Sequence, residues 1–512
     1  MRRLKALLLL FAVLFVWVPL HAQDLAPFEQ AFDKRVTVKK LANGLTVILV
    51  QRPEAPVFSF TTFVDAGSVQ DPKGKTGIAH MMEHMAFKGT DKIGTTDYAE
   101  EKAVLKKVEA AYAAYDTENQ KAVGRNDKKL AELKKTWQDA IKDASKFVVV
   151  NEFGEIVEKE GGVGLNAGTS LDSTEYEYSM PSNRLELWAY LESDRFLHPV
   201  EREFYKERDV VIEERRMRTD SSPVGRLVEQ FLAQAYDASP YHRPTIGYYS
   251  DLNHFSATDA LDFFRTYYIP SNLVIAIAGD VDPAKAMPVI ERYFSRLPAK
   301  DKPEEYTTTQ PEQKSERTVV IHDPAQPFYI EGYHRPNYRD PDDAVYDAIT
   351  DILSNGRTSR MYRSMVRDQK IAAAAAGFSG FPGQKYATLF AFYAVPLPGH
   401  TNVEMQKSIR GEIEKLKTAD VSDDELQMFK TRARASIIRS LDSNSGLANL
   451  LAELQTRYGD WHELFRQLDR IDKVTKADIR RVANKTFVEE NRTVGIMETQ
   501  ASGQSAEQGE QQ

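Results

Sequence analysis

The stretch "VVIHDPAQPFYIEGYHRPNYRDPD" at residues 319–342 repeats the pattern of "VILVQRPEAPVFSFTTFVDAGSVQDP" at residues 47–72. Each has an apolar strand, a Pro-containing turn, a second strand and then Asp-Pro ahead of a helical stretch. The echo implies an internal duplication of an α+β domain. The copies differ in one respect that bears on chemistry. The second carries "DAITDIL" (347–353) where the first carries "HMMEH" (80–84), so any metal chemistry belongs to the first half.

Working outward, residues 35–50 read as a β-hairpin turned by Asn43-Gly44. "NLVIAIAG" (272–279) is a nearly continuous apolar run, as expected of a buried strand. Between the halves, "LPAKDKPEEYTTTQPEQKSE" (297–316) is rich in Pro, Thr and charge and reads as a linker. The expected units are an N-terminal domain over 30–296 and a C-terminal domain over 317–499. A polar tail over 500–512 is expected to be disordered. Within the first unit, Val104, Val108, Ala111 and Tyr115, then Leu130, Leu133, Trp137 and Ile141, recur at helical spacing around a break at "GRND". This predicts a helical hairpin over about 100–147, a charged pair of helices without chemistry of its own.

The chain has 512 residues, too many for one ordinary core. Its N-terminus places Arg2, Arg3 and Lys5 before "ALLLLFAVLFVWV" and a small residue at Ala22. Residues 1–22 read as a cleaved export signal, with an uncleaved anchor as the alternative. The run is short for a membrane span and no second one follows. The expected location is outside the cytoplasm, with the periplasm favoured. Removal of the signal takes the net charge from −8 to −11, which gives no electrostatic reason to bind nucleic acid or anionic lipid. There is no cysteine, so disulfides and thiol catalysis are excluded, and a metal must use His, Asp or Glu.

In "GKTGIAHMMEHMAFKGT" (74–90), His80 and His84 stand four apart with Glu83 between them. On a helix, i and i+4 share a face, so two imidazoles meet one Zn²⁺. Glu83 projects from the same side and can take a proton from water. A catalytic zinc wants a third protein ligand, which this motif does not supply. Read without chemistry, the two His merely border a core helix in which Met81, Met82 and Met85 are buried.

His-x-x-Glu-His is the inverted zinc motif. With its flanks it resembles the pitrilysin/insulinase superfamily, which includes the mitochondrial processing peptidases. The similarity extends through "NAGTSLDSTEYEYSMP", "YKERDVVIEERRM", "YYIPSNLVIAIAGDVDP" and "SNGRTSRMYRSMVRD". The resemblance implies an α+β fold of two homologous α/β sandwich domains, each a mixed sheet with helices packed on one face. Together they form half of a clamshell.

The resemblance also implies a third ligand in "ERDVVIEE" (207–214). Glu214 is the expected ligand, and Glu207 a supporting carboxylate in the catalytic set with Glu83. Glu213 and Glu203 are alternatives within the segment. The helical hairpin lengthens the interval from His84 to Glu214 and is expected near the cleft mouth. Asn166 and Ala167 are expected on an edge strand that pairs with substrate backbone, an arrangement that favours extended, unfolded peptides. His242 matches no ligand position and reads as structural.

One departure stands out. Relatives carry an Arg and, seven residues later, a Tyr that assist the tetrahedral intermediate. Here Arg367 is present but the Tyr position is Ala374, with Tyr386 as a candidate substitute. The implied activity is zinc-dependent endopeptidase action on unfolded peptides, with one Zn²⁺ per chain; Mn²⁺ and Co²⁺ suit the same ligands. The implied assembly is a homodimer, or a heterodimer whose other chain supplies the Arg–Tyr pair. The alternative is a weakly active or non-catalytic peptide-binding subunit.

Overall fold

The structure is a computed structural model that describes residues 26–500. The expected signal at 1–22 and the tail beyond 500 lie outside the described residues.

Two sheets organise the chain. The first contains β1 (Val36–Lys40), β2 (Thr46–Gln51), β3 (Val57–Val64), β4 (Val163–Thr169), β5 (Thr174–Pro181) and β6 (Leu273–Gly279), in the order β1-β2-β6-β3-β5-β4. The second contains β7 (Arg317–Asp323), β8 (Phe328–Arg335), β9 (Ala372–Phe381), β10 (Thr388–Pro396) and β11 (Arg492–Thr499), in the order β7-β11-β8-β10-β9. The β2–β6 and β7–β11 pairs are parallel and every other pair is antiparallel. The second sheet therefore matches β2-β6-β3-β5-β4 strand for strand. Only β1 lacks a counterpart. The expected hairpin pairs Val36 with Val50, and Gly44 takes the left-handed conformation (φ +100°) in its connection.

Each half lays its own helices on one face of its sheet, as expected, but the other face is not bare. The helix Asn444–Tyr458, from the second half, sets Leu447 and Leu451 against Ile48, Phe63, Ala276 and Ala278 of the first sheet. Reciprocally, the helix Pro223–Ala235 sets Leu227, Phe231 and Leu232 against Ile330, Leu389 and Met497 of the second half. The physical reason is legible in β6. Every residue of "LVIAIAG" is buried, so both faces of that strand must be covered. Gly332 leaves room for this exchange, because a Cβ there would sit 2.9 Å from the Phe231 ring.

The segment expected as a linker has no regular structure over 298–314, yet it is tied down. Tyr306 donates to the carbonyl of Ala238 at 2.6 Å. The side-chain oxygen of Gln310 accepts from the backbone amides of Asp237, Ala238 and Ser239 at 3.1–3.2 Å.

The predicted hairpin forms, as helices Tyr98–Asn119 and Asp127–Ala144, with the break at the expected place. Its position differs from expectation. Tyr112 and Trp137 pack against Tyr205 on the outer face of the helix Phe204–Arg215, Tyr115 stacks on Trp137, and none of the hairpin lines the cavity onto which His80, Glu83 and His84 open. Arg208 is buried in this aromatic cluster. It donates to Tyr112 Oη at 2.8 Å and lies 4.9 Å from the Tyr112 and Tyr205 ring centres. Aromatic burial and cation–π contact thus hold the hairpin on the back of that helix.

Candidate metal centre

The motif helix runs from Ile78 to Met85. Its start is fixed by Gly77, which adopts a left-handed conformation (φ +92°) where a Cβ would come within 2.5 Å of the Ile246 carbonyl. The Asp71 carboxyl accepts from the amides of Gly77 at 2.7 Å and Ala79 at 3.0 Å, satisfying donors that a helix leaves free at its first turn. Ile78, Met81, Met82 and Met85 face the core, which turns His80, Glu83 and His84 to the other side.

The second ligand helix, Phe204–Arg215, crosses this face. His80 Nε2 and His84 Nε2 lie 3.7 and 3.6 Å from the same oxygen, Oε2 of Glu214. Potential ligand atoms of the three residues all fall within 4.8 Å of one another. Zinc bonds of about 2.0–2.1 Å in a tetrahedron put neighbouring ligand atoms roughly 3.3–3.4 Å apart, so each histidine needs to approach Glu214 by only a few tenths of an ångström. Burial, with the neighbouring His84 and Arg218 charges, pushes His80 down to about 3. Its imidazole is therefore neutral at neutral pH, the form that ligates. Two imidazoles and a carboxylate fit a divalent zinc site with one position open.

Glu207 sits on the opposite edge of the His84 ring, 3.6 Å from Nδ1, and also accepts from Lys88 Nζ. Burial raises its carboxyl, but His84 and Lys88 outweigh burial and hold it at about 2. Burial lowers His84, yet Glu207, Glu83 and Glu214 together leave it raised. Glu207 contacts the His84 ring and does not line the cavity, a place suited to orienting His84. Glu213 is exposed beside Arg216, and Glu203 pairs with Lys88 and Lys206, so neither competes with Glu214.

These groups open onto a cavity of about 1070 Å³. Ala167 lines it from β4, which is the edge strand of the first sheet. Asn166, paired with Glu177, is exposed on that edge and is not part of the lining. The second half contributes Phe381 and Pro382 to the wall. Their position follows from Asp172 in the β4–β5 turn, which accepts from Tyr241 Oη and the amides of Gln384 and Lys385.

Arg367 does not line the cavity. It is exposed and paired with Asp368 at 2.7 Å. Tyr386 does not line it either, and its ring packs on Tyr241 and Tyr306. His242 does line it, although its Nδ1 is 2.7 Å from the Ser239 carbonyl oxygen, which accounts for a structural role. Sequence reasoning missed Lys88, Asp71 and Arg218. Lys88 follows His84 by four residues, a spacing that offered a signal. Arg218 pairs with Glu214 Oε1 at 2.9 Å, four residues further along.

A family model described as "Insulinase (Peptidase family M16)" matches residues 46–124, and one described as "Peptidase M16 inactive domain" matches residues 254–432. The zinc protease PqqE of Helicobacter pylori is 30% identical over 495 residues, spanning 94% of this chain and 96% of that protein. The mitochondrial-processing peptidase subunit beta of Saccharomyces cerevisiae is 22% identical over 481 residues, 87% of each chain. The crystal structure of a protease from Helicobacter pylori shares the fold with a TM-score of 0.74 at 28% identity, covering 90% of this chain and 99% of that one. The chain belongs to peptidase family M16, and several of its relatives are named zinc proteases.

Proposed function

We propose that the chain is a zinc-dependent endopeptidase that hydrolyses unfolded peptides. The observation that carries this reading is the convergence of His80, His84 and Glu214, two of them on the face that also presents Glu83. Zinc, when bound, supplies Lewis-acid polarisation of the scissile carbonyl and acidifies water. His80, His84 and Glu214 hold it. Glu83 accepts the proton of the attacking water and returns it to the leaving amine. The β4 edge, with Asn166 and Ala167, receives an extended substrate backbone, which selects chains that are unfolded. Phe381, Pro382 and Leu171 offer apolar walls to substrate side chains.

The assembly that suits this chemistry is a chamber of two chains, a homodimer or a heterodimer with a related chain. Residues 1–22 support export to the periplasm, and among the described residues no helix is long and apolar enough to cross a membrane. A second reading is favoured by Ala374, which cannot donate to an oxyanion; losing such a donor costs about 10²–10³ in rate. In that reading the chain binds peptide but contributes little hydrolysis by itself.

The test is cleavage of a quenched, unstructured peptide by the zinc-loaded mature chain and by its Glu83→Gln variant. Cleavage that is lost in the variant at unchanged zinc content supports the endopeptidase. Peptide binding without cleavage at full zinc occupancy overturns it in favour of the second reading.

A further inference from the structure

A second cavity, of about 710 Å³, lies between the helical hairpin and the body of the first half, apart from the metal cavity. Leu105 and Val108 from the hairpin, Phe196 and Phe204 from the helices beneath, and Leu261 and Phe264 opposite give it apolar wall, which it shares with charged groups such as Glu109, Lys102 and Lys106. The volume falls within the range of about 300–1,000 Å³ typical of small-molecule sites. Glu201 stands among the apolar residues of this lining. It is 8% exposed, and its Oε2, closed to water, has no hydrogen-bond partner, so a ligand meets this carboxyl through its other oxygen or by a turn of the side chain. Among the described residues no cation lies within ion-pair distance of it. Arg265 acts on it only at longer range and is itself paired with Asp262, while Glu109 repels its charge. Buried carboxylates elsewhere in this half, such as Glu101 with Arg202 and Glu192 with Arg195, have found their cations.

We propose that this cavity binds a small hydrophobic amine, its ammonium group on Glu201 and its apolar body against the surrounding walls. The chemistry of the head group follows from the unpaired carboxyl. Burial and the Glu109 charge push Glu201 up to about 8, so at neutral pH it is largely protonated without a ligand. An ammonium ion pairs with the carboxylate and releases that proton to the buffer; charge and protons balance. A neutral alcohol gains no ion pair. An anionic head gains no ion pair at Glu201 and finds opposite charge only by sitting inverted, towards Lys102, Lys106 and Lys300. The site also backs onto the metal centre. Glu201, Phe196 and Phe264 line a small void whose far wall is Met82, Met85 and Ala86, the rear of the motif helix. An occupant therefore sits one layer of side chains from the helix that carries His80 and His84.

The experiment is titration calorimetry of the mature chain with phenylbutylamine, phenylbutanol and phenylbutanoic acid, in two buffers of different ionisation enthalpy. The expected result is that the amine binds at least tenfold tighter than the other two, with proton release that the alcohol does not show. Glu201→Gln should abolish both the preference and the proton release. Leu261→Trp, which fills the cavity and leaves the Glu201 carboxyl in the chain, should abolish binding of the amine. Both variants should keep full zinc stoichiometry, which separates this site from the metal centre. The proposal is overturned by equal affinity for amine and alcohol, by tighter binding of the acid, by no binding of the amine, or by amine binding that survives either variant.

Discussion

Glu207 stands 3.6 Å from Nδ1 of His84, on the ring edge opposite the one that faces Glu214. On zinc binding, an Nδ1–H directed at this carboxylate would leave the lone pair of Nε2 for the metal and make the ring more basic. Lys88 pins the carboxylate in turn. The two-turn spacing of Glu207 and Glu214 therefore sets the two carboxylates on opposite edges of the His84 ring.

Glu207→Gln should lower zinc affinity by about 10–100-fold, the usual effect of removing a carboxylate behind a ligating imidazole. Competition with a chromophoric chelator measures this directly. Glu213→Gln, at the exposed position next to Glu214, is the control and should leave affinity unchanged.

The same pair predicts a pH dependence in the metal-free chain. Glu207 is depressed to about 2, so its contribution to stability is present above the unfolded value near 4.5 and is lost as pH falls through that region towards 2. His84 is raised, so its contribution is complete below about 6.5 and is lost as pH rises through its folded value. The stability difference between the wild type and Glu207→Gln should therefore be largest between about pH 4.5 and 6.5. Thermal scans in chelator across pH 3 to 8 test this. A difference that is flat across the range would mean that the two groups do not couple.

Much of this site was legible in the sequence because its geometry is local. His80, Glu83 and His84 share one helix face, which spacing alone shows, whereas Glu207 and Glu214 stand in a charged helix and were singled out only by the family resemblance. The duplication was legible for the same reason, since strand patterns and Asp-Pro turns recur in order. What escaped depends on contacts distant along the chain. The reciprocal covering of the sheets joins residues about 400 apart, such as Ile48 and Leu447, and only the fully apolar run of β6 hinted at it. The hairpin's place could not be read either. Its apolar stripe shows that it packs, but not that its partners are Tyr205 and Arg208 on the outer face of the ligand helix.

That placement makes the hairpin a buttress. Trp137 is 8% exposed and contacts Tyr112, Tyr115 and Tyr205. Trp137→Ala should destabilise the chain by about 3–5 kcal/mol, the range for removing a large buried aromatic side chain. The shift in denaturant midpoint reports the loss. Because no hairpin residue lines the metal cavity, the residual folded protein should cleave the same bonds in the same peptides. A changed cleavage pattern at unchanged stability would place the hairpin in substrate contact instead.

The last prediction concerns the oxyanion. Ala374 lies near the start of β9, opposite Val395, and β9 is the outer strand of its sheet. Neither Ala374 nor Arg367 lines the metal cavity of its own chain, whose second-half wall is Phe381 and Pro382. A donor introduced at Ala374 should therefore act on another chain's metal site. In a homodimer, Ala374→Tyr should raise kcat for a quenched peptide by about 10²-fold, the order of one oxyanion donor, with zinc content unchanged. The decisive measurement mixes wild-type chain with the E83Q/A374Y variant, which lacks its own catalytic carboxylate. Stimulation on mixing means that the new hydroxyl serves the wild-type zinc site across the interface. A rate raised in A374Y alone but not on mixing would mean that the position serves its own chain. No gain in either experiment would direct the search to a different chain bearing both the Arg and the Tyr.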